Sequence, residues 1–301
     1  MVKQWIGCLV VLAVAGCGPK ANDPVTSKRE RKEIFTTSYP LAYVAQRLVG
    51  NRAEVVFPAP ADVDPVFWVP DEAMVRRYQQ ADLILLNGAG GEKWTKTVTL
   101  PLAKTVDTAA SLTNEWLMFK EVITHSHGPQ GAHSHGNIDF NTWLDPVMLA
   151  RQAVVVESAL RRLLPETDAE TCQRGAQLRD DLKKLDAQLS NLTVPALLAS
   201  HPVYNYLAKR CRWNLQSVHW EPGEDVTAAQ WAEFDALRAK HPAKIMLWEG
   251  EPLPAVRAEL EKRGVRVVVF ETCGNTPATG DYLSTMQTNT KRLAAALTKV
   301  K

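Results

Sequence analysis

Four of the seven histidines, His125, His127, His133 and His135, fall in one short stretch, THSHGPQGAHSHGNIDFNTWLDP, as two His-x-His pairs. Imidazole suits zinc, copper, iron and nickel, and short histidine-rich tracts read as metal binding. Gly128, Pro129, Gly131 and Gly136 interrupt the stretch, so neither helix nor strand is expected to run through it. Directly behind it, Asp145-Pro146 reads as a helix start, with Asp as N-cap and Pro at the first helical position. A solvated surface loop is the competing reading of the same composition.

Three further residues stand where elements end. His201 follows the apolar run LLAS, Glu271 follows VRVVVF, and Asn141 lies at the foot of the histidine loop. In open α/β sheets ligands bind beyond the carboxyl ends of the strands, so one histidine and one carboxylate there are a plausible half of a metal site. Each could equally be a capping or hydrogen-bonding residue. His219, in an irregular segment, and His241, after a helix end, read as structural. No GxSxG, HExxH or P-loop is present, and nothing pairs a nucleophile with a base.

The elements that must position these residues alternate. Residues 33–37, 54–57 and 83–86 read as strands, with helices at 41–49 and from an Asp71 cap to residue 80. Asp145 opens a helix to about residue 164. Beyond residue 195, strands at 196–200, 244–248 and 265–270 alternate with helices at 227–240, 254–263 and 281–299. Such alternation implies βα units and parallel sheets. Between the two halves, Leu178, Leu182, Leu185, Leu189 and Leu192 line one face of a helix over 166–192. At 1.5 Å per residue that rod is about 40 Å long, enough to join two lobes. Its apolar seam is too short to demand a coiled-coil dimer. The expected fold is α/β: a lobe over 33–165, the connecting helix, and a second lobe over 193–301.

Residues 1–17 read as a lipoprotein signal peptide. Lys3 supplies the charged start, residues 5–15 an apolar core too short to span a bilayer, and small residues precede Cys17, the expected lipidation site. Residues 18–32 bury almost nothing and read as a disordered tether. The formal charge of +2 becomes +1 once residues 1–16, with Lys3, are removed, which gives no electrostatic footprint for nucleic acid. Of five cysteines, Cys172, Cys211 and Cys273 remain after processing and lipidation, enough for one disulfide of unspecified pairing.

These motifs together resemble the solute-binding lipoproteins of zinc- and manganese-type ABC importers. The resemblance rests on TTSYPLAYVAQRLVG, ADVDPVFWVPD, QQADLILLNGAGGEKW, FNTWLDP, SHPVYNYLAKR and DYLSTMQTNTKRL, in that order, and covers nearly all of the mature chain. It implies two α/β lobes, a rigid joining helix, Zn2+ (or Mn2+) held between the lobes, a monomer anchored through Cys17, and delivery to an ABC permease. It also implies a histidine loop before FNTWLDP that assists capture. The four ligand positions it implies fall on Val66, Asn141, His201 and Glu271. Valine has no lone pair, and an amide oxygen is a weak, hard ligand for zinc.

Those departures leave the shell open to completion by Asn141 and water, by a loop histidine or by Cys273. The leading expectation is therefore a metal-binding lipoprotein without turnover. The alternative is a relative that binds no metal in its cleft and acts as a surface binding or adhesion module. A zinc hydrolase with Glu271 as base is the weakest reading, since only two protein ligands are in view.

Overall fold

The computed structural model describes Met1 and residues 31–119, 124–126, 132–134 and 138–299. The signal peptide, Cys17, most of the tether, His127 and His135 lie outside the described residues.

Apolar runs flanked by turn residues become the strands. β1 (Lys32–Thr36) is followed by α1 (Tyr39–Val49), β2 (Ala53–Val56), α2 (Glu72–Gln80), β3 (Leu83–Leu86) and β4 (Thr105–Asp107). The four strands form a parallel sheet in the order β2-β1-β3-β4. Asp71 caps α2 by accepting from the Met74 N–H at 2.7 Å, as its side chain foretold. Two three-residue strands, β5 (Thr124–Ser126) and β6 (Ala132–Ser134), then pair antiparallel with His125 opposite His133. The glycines and proline therefore did not exclude strand: they fall between or beyond the two short runs. The ribbon is rooted where the Asp139 N–H donates to the Leu117 carbonyl, beside a Met118–Ile138 bridge.

α3 (Pro146–Leu163) starts at Asp145, whose carboxylate accepts from Val147 and Met148 N–H. α4 (Asp168–Ser190) is the long helix. It begins after a 3-10 turn at Pro165–Thr167, and at 23 residues it spans about 35 Å. Its Leu178, Leu182, Leu185 and Leu189 are buried, and it packs on α1 and α3. Gly175 allows a close crossing, since a Cβ there would stand 2.1 Å from Glu157 Oε2.

The second half runs β7 (Ala196–Ala199), α5 (Asn205–Cys211), β8 (Asn214–Ser217), α6 (Ala228–Lys240), β9 (Ile245–Trp248), α7 (Pro254–Lys262), β10 (Arg266–Val269) and α8 (Tyr282–Thr298). Its parallel sheet has the order β10-β9-β7-β8. Numbered within its own lobe, each sheet therefore reads 2-1-3-4. α8 and α5 also pack on α4, so the long helix touches elements of both halves.

Side chains reach across between the halves. Tyr282 Oη donates to the Trp143 carbonyl at 2.6 Å, and Trp143 Nε1 donates to the Thr272 carbonyl at 2.8 Å. Asn275 Nδ2 donates to the carbonyls of Pro60 and Val63 at 2.6 and 2.8 Å. Tyr206 Oη donates to the Asp139 carbonyl at 2.9 Å. Cys172, Cys211 and Cys273 are free thiols, so the possible disulfide is not formed.

Candidate metal centre

A 2-1-3-4 sheet reverses direction between its first and third strands, and a crevice opens beyond the carboxyl ends of those two strands. Both crevices contribute to one cavity of about 730 Å³. From the first sheet come Thr37 and Ser38, after β1, and Asn87, after β3; from the second come His201, after β7, and Glu249, after β9. The loop between β2 and α2 supplies Asp62, Asp64 and Val66, and the segment before α3 supplies Phe140, Asn141 and Trp143.

His201 is where the sequence placed it and its side chain is 13% exposed. Its Nδ1 lies 3.5 Å from Glu249 Oε1 and its Nε2 lies 3.7 Å from Glu221 Oε1. The His219 ring stands edge-on to it, with centroids 5.9 Å apart. Burial by itself would lower the His201 pKa. Hydrogen bonding and attraction from Glu249, then the charges of Glu221 and Asp64, outweigh it and raise the value above that of an ordinary imidazole.

Glu271 is not brought to the cavity. Its carboxylate pairs with Arg292 of α8 at 3.0 Å and is 37% exposed. Glu271 follows the edge strand β10 and, although Thr272, Gly274 and Asn275 just beyond it line the cavity, its own carboxylate turns to α8; Glu249 follows β9, which lies beside β7. The acid at the switch point is therefore Glu249. The sequence carried the signal, since Glu249 follows the wholly buried run IMLW as Glu271 follows VRVVVF. What separates them is where the carboxylate goes, to the cavity for Glu249 and to Arg292 for Glu271.

Asn141 lines the cavity and is held rigidly. Its backbone N–H and its Nδ2 both donate to Asp139 Oδ1, at 2.9 and 2.8 Å. The amide nitrogen is thus occupied, and Oδ1 is the atom left for other partners. Asp139 is wholly buried, and burial pushes its carboxyl up to about 6 against the pull of Asn141, Asn205 and His201. Val66 lines the same cavity and packs against the core, and its N–H donates to Asp64 Oδ1 at 2.9 Å. Glu92 is spoken for: Thr37 Oγ1 and the N–H groups of Asn87 and Gly88 donate to it at 2.5, 2.6 and 3.2 Å.

Cys273 does not line the cavity among the described residues. It is buried in the core, and burial pushes its thiol up to about 12. His241 is structural, with Nε2 2.7 Å from the Leu197 carbonyl. The side chains of the histidine loop are outside the description. Among the described residues, no group of three or more His, Cys, Asp or Glu is arranged to hold a metal ion.

Comparison with known proteins places this geometry. Residues 34–296 match the family described as zinc-uptake complex component A, periplasmic. The chain belongs to that family.

Among its relatives, the zinc-uptake family protein named high-affinity zinc uptake system protein ZnuA, of Bacillus subtilis, is 24% identical over 263 residues, covering 83% of this chain and 82% of the relative. The zinc-binding lipoprotein AdcA of Streptococcus pneumoniae is 25% identical over 277 residues, covering 86% of this chain. The chain spans 54% of that longer relative's length. In structure it is similar to the metal-dependent lipoprotein YcdH of B. subtilis, with a TM-score of 0.75 and 18% identity over 88% of this chain and 99% of the other. The Zn(II)-bound ZnuA-like domain of S. pneumoniae AdcA gives a TM-score of 0.73 at 21% identity, covering 88% of this chain and 98% of that one. These likenesses establish the two-lobed α/β architecture that the sequence predicted. Among the described residues, His201 is the one imidazole that lines the cleft, and carboxylates stand around it.

Proposed function

We propose that the chain is the zinc-binding component of an ABC importer, exported and anchored through Cys17, which holds its cargo between the lobes and passes it to a membrane permease. Family membership makes it a binding protein and not an enzyme. The observation that carries the zinc reading is His201, seated at the switch point of the second sheet between two carboxylates.

Zinc is cargo here, and the donor set fits it in part. Nδ1 facing Glu249 follows the pattern in which a carboxylate fixes the tautomer and leaves the other nitrogen for metal. Nε2 and Glu221 Oε1 at 3.7 Å are too far apart for a hydrogen bond. Two ligands each about 2.1 Å from a shared ion sit about that far apart. Glu221 is therefore the oxygen ligand, Glu249 the orienting acid, and Asn141 Oδ1 a weak donor from the facing lobe. Mn2+ is the second cargo that so oxygen-rich a set can accept. His125, His127, His133 and His135 assist capture at the rim, and the contacts clasping the lobes limit hinge motion. The protein acts as a monomer.

The test is equilibrium dialysis of the mature chain against micromolar zinc, with His201→Ala as control. Bound zinc that disappears in the variant supports the reading; no bound zinc at these concentrations removes it.

A further inference from the structure

Zinc in proteins takes about four ligands, at least three of them from the protein. His201 and Glu221 give two, and Asn141 a weak third from the facing lobe. A second imidazole stands next to the first. The His219 ring is edge-on to His201, with an interplanar angle of 84° and centroids 5.9 Å apart. His219 is exposed and does not itself line the cavity.

Tryptophans fix the segment that carries it. Beyond β8, the Val218 N–H donates to the Ala199 carbonyl at 3.0 Å and the Trp220 N–H to the Ser200 carbonyl at 2.7 Å. The chain thus keeps running alongside the end of β7, next to His201. Trp220 is buried and packs on Trp231, Phe234 and Trp248, with centroids 4.9, 5.0 and 6.3 Å away. Trp248, wholly buried, is the last residue of β9. In extended chain successive side chains point to opposite faces. Burying Trp220 therefore turns His219 and Glu221 to the other face, and burying Trp248 does the same for Glu249. His201 stands on that face, with Glu249 toward Nδ1 and Glu221 toward Nε2. The run His219-Trp220-Glu221 so delivers an imidazole and a carboxylate together to one histidine.

Resting on the importer reading, we infer that His219 is the third protein ligand, closing a His201–Glu221–His219 shell carried wholly by the second lobe. Two imidazoles on one zinc, each with a nitrogen about 2.0–2.1 Å from it, hold their ring centroids about 5 Å apart. A turn of the exposed His219 ring closes the difference from 5.9 Å. Among the described residues no three such groups meet at one point, so the turn accompanies binding; surface side chains make it within nanoseconds. His219 also sets the choice of metal, because a second imidazole favours zinc while the oxygen-rich remainder suits manganese. Val66 and Asn141 can then be poor donors without loss of the site.

The test titrates zinc chloride and manganese chloride calorimetrically into the mature chain, His219→Ala and His201→Ala. X-ray absorption at the zinc edge, with one equivalent bound, counts the imidazoles. His219 is exposed, so its alanine variant should fold like the parent. The expected result is zinc affinity at least about tenfold lower in His219→Ala, manganese affinity unchanged within about threefold, and an imidazole count falling from two to one. Zinc bound equally well by His219→Ala and the parent, but lost in His201→Ala, overturns the inference and leaves the importer reading standing. So does parallel weakening of both metals with an unchanged imidazole count, which marks a structural role. No zinc bound by the parent, or full binding by His201→Ala, overturns both readings.

Discussion

The two lobes are built alike and equipped differently. Each has four parallel strands in the order 2-1-3-4, and each turns its switch point toward the same cavity. The first lobe brings Val66 and Asn141, an apolar side chain and an amide tethered to Asp139. The second brings His201 with Glu221 and Glu249 beside it. Architecture fixes where a ligand sits, and the side chains beyond the strands fix what it is. In this chain the imidazole stands on one side between two carboxylates, while the facing side adds Asp62 and Asp64 to an apolar side chain and a tethered amide.

The sharpest way to break that comparison is His201→Ala, which should lower cleft affinity for metal at least about 100-fold. A loss below threefold would put the binding chemistry elsewhere. Next, calorimetry on Glu221→Gln and Glu249→Gln should each show about 10–100-fold weakening, while Glu271→Gln stays within about twofold. The reverse ranking would return the fourth ligand to the position that the resemblance assigned.

The pH dependence sharpens the same contrast. Zinc must displace a proton from His201, whose pKa is raised, so affinity should fall as pH drops through that raised value. Glu249→Gln removes a raising influence and should move the fall to lower pH; a shift upward would mean Glu249 does not face the ring. In the metal-free protein the sign is opposite. The folded state holds this proton more tightly than the unfolded chain, so its stabilisation is complete below the ordinary imidazole value of 6.5 and is lost as pH rises through the folded value.

The smallest effect concerns the clasp. Asn275→Ala removes two hydrogen bonds to the loop carrying Val66 and should cost about 1 kcal/mol in denaturant unfolding. No change would mean the lobes are held by their buried contacts alone.

Much of the fold was legible because its signals are local. Asp71, Asp145 and Thr227 cap helices as their side chains and positions dictate, and the leucine spacing marks α4. The edge strand β8 was missed because NLQS is polar and half exposed, and α5 because seven residues are too few to show a period. The site was legible in half. His201 and Asn141, chosen by the rule that ligands gather beyond strand ends, both line the cavity. Glu271, chosen by the same rule, lies off the cavity because its carboxylate turns to Arg292, a pairing that no strand run foretells. The neighbours Glu221, Glu249 and His219 come together only through pairing of β7 with β8 and β9.

The most direct test of the account is a zinc-edge anomalous difference map from crystals of the mature protein grown with zinc. The account predicts a peak in the cleft about 2.0–2.2 Å from His201 Nε2 and from a Glu221 oxygen, with Glu249 on the opposite ring nitrogen. A cleft peak bound to Glu271, or ordered zinc at the histidine loop and none beside His201, would contradict it.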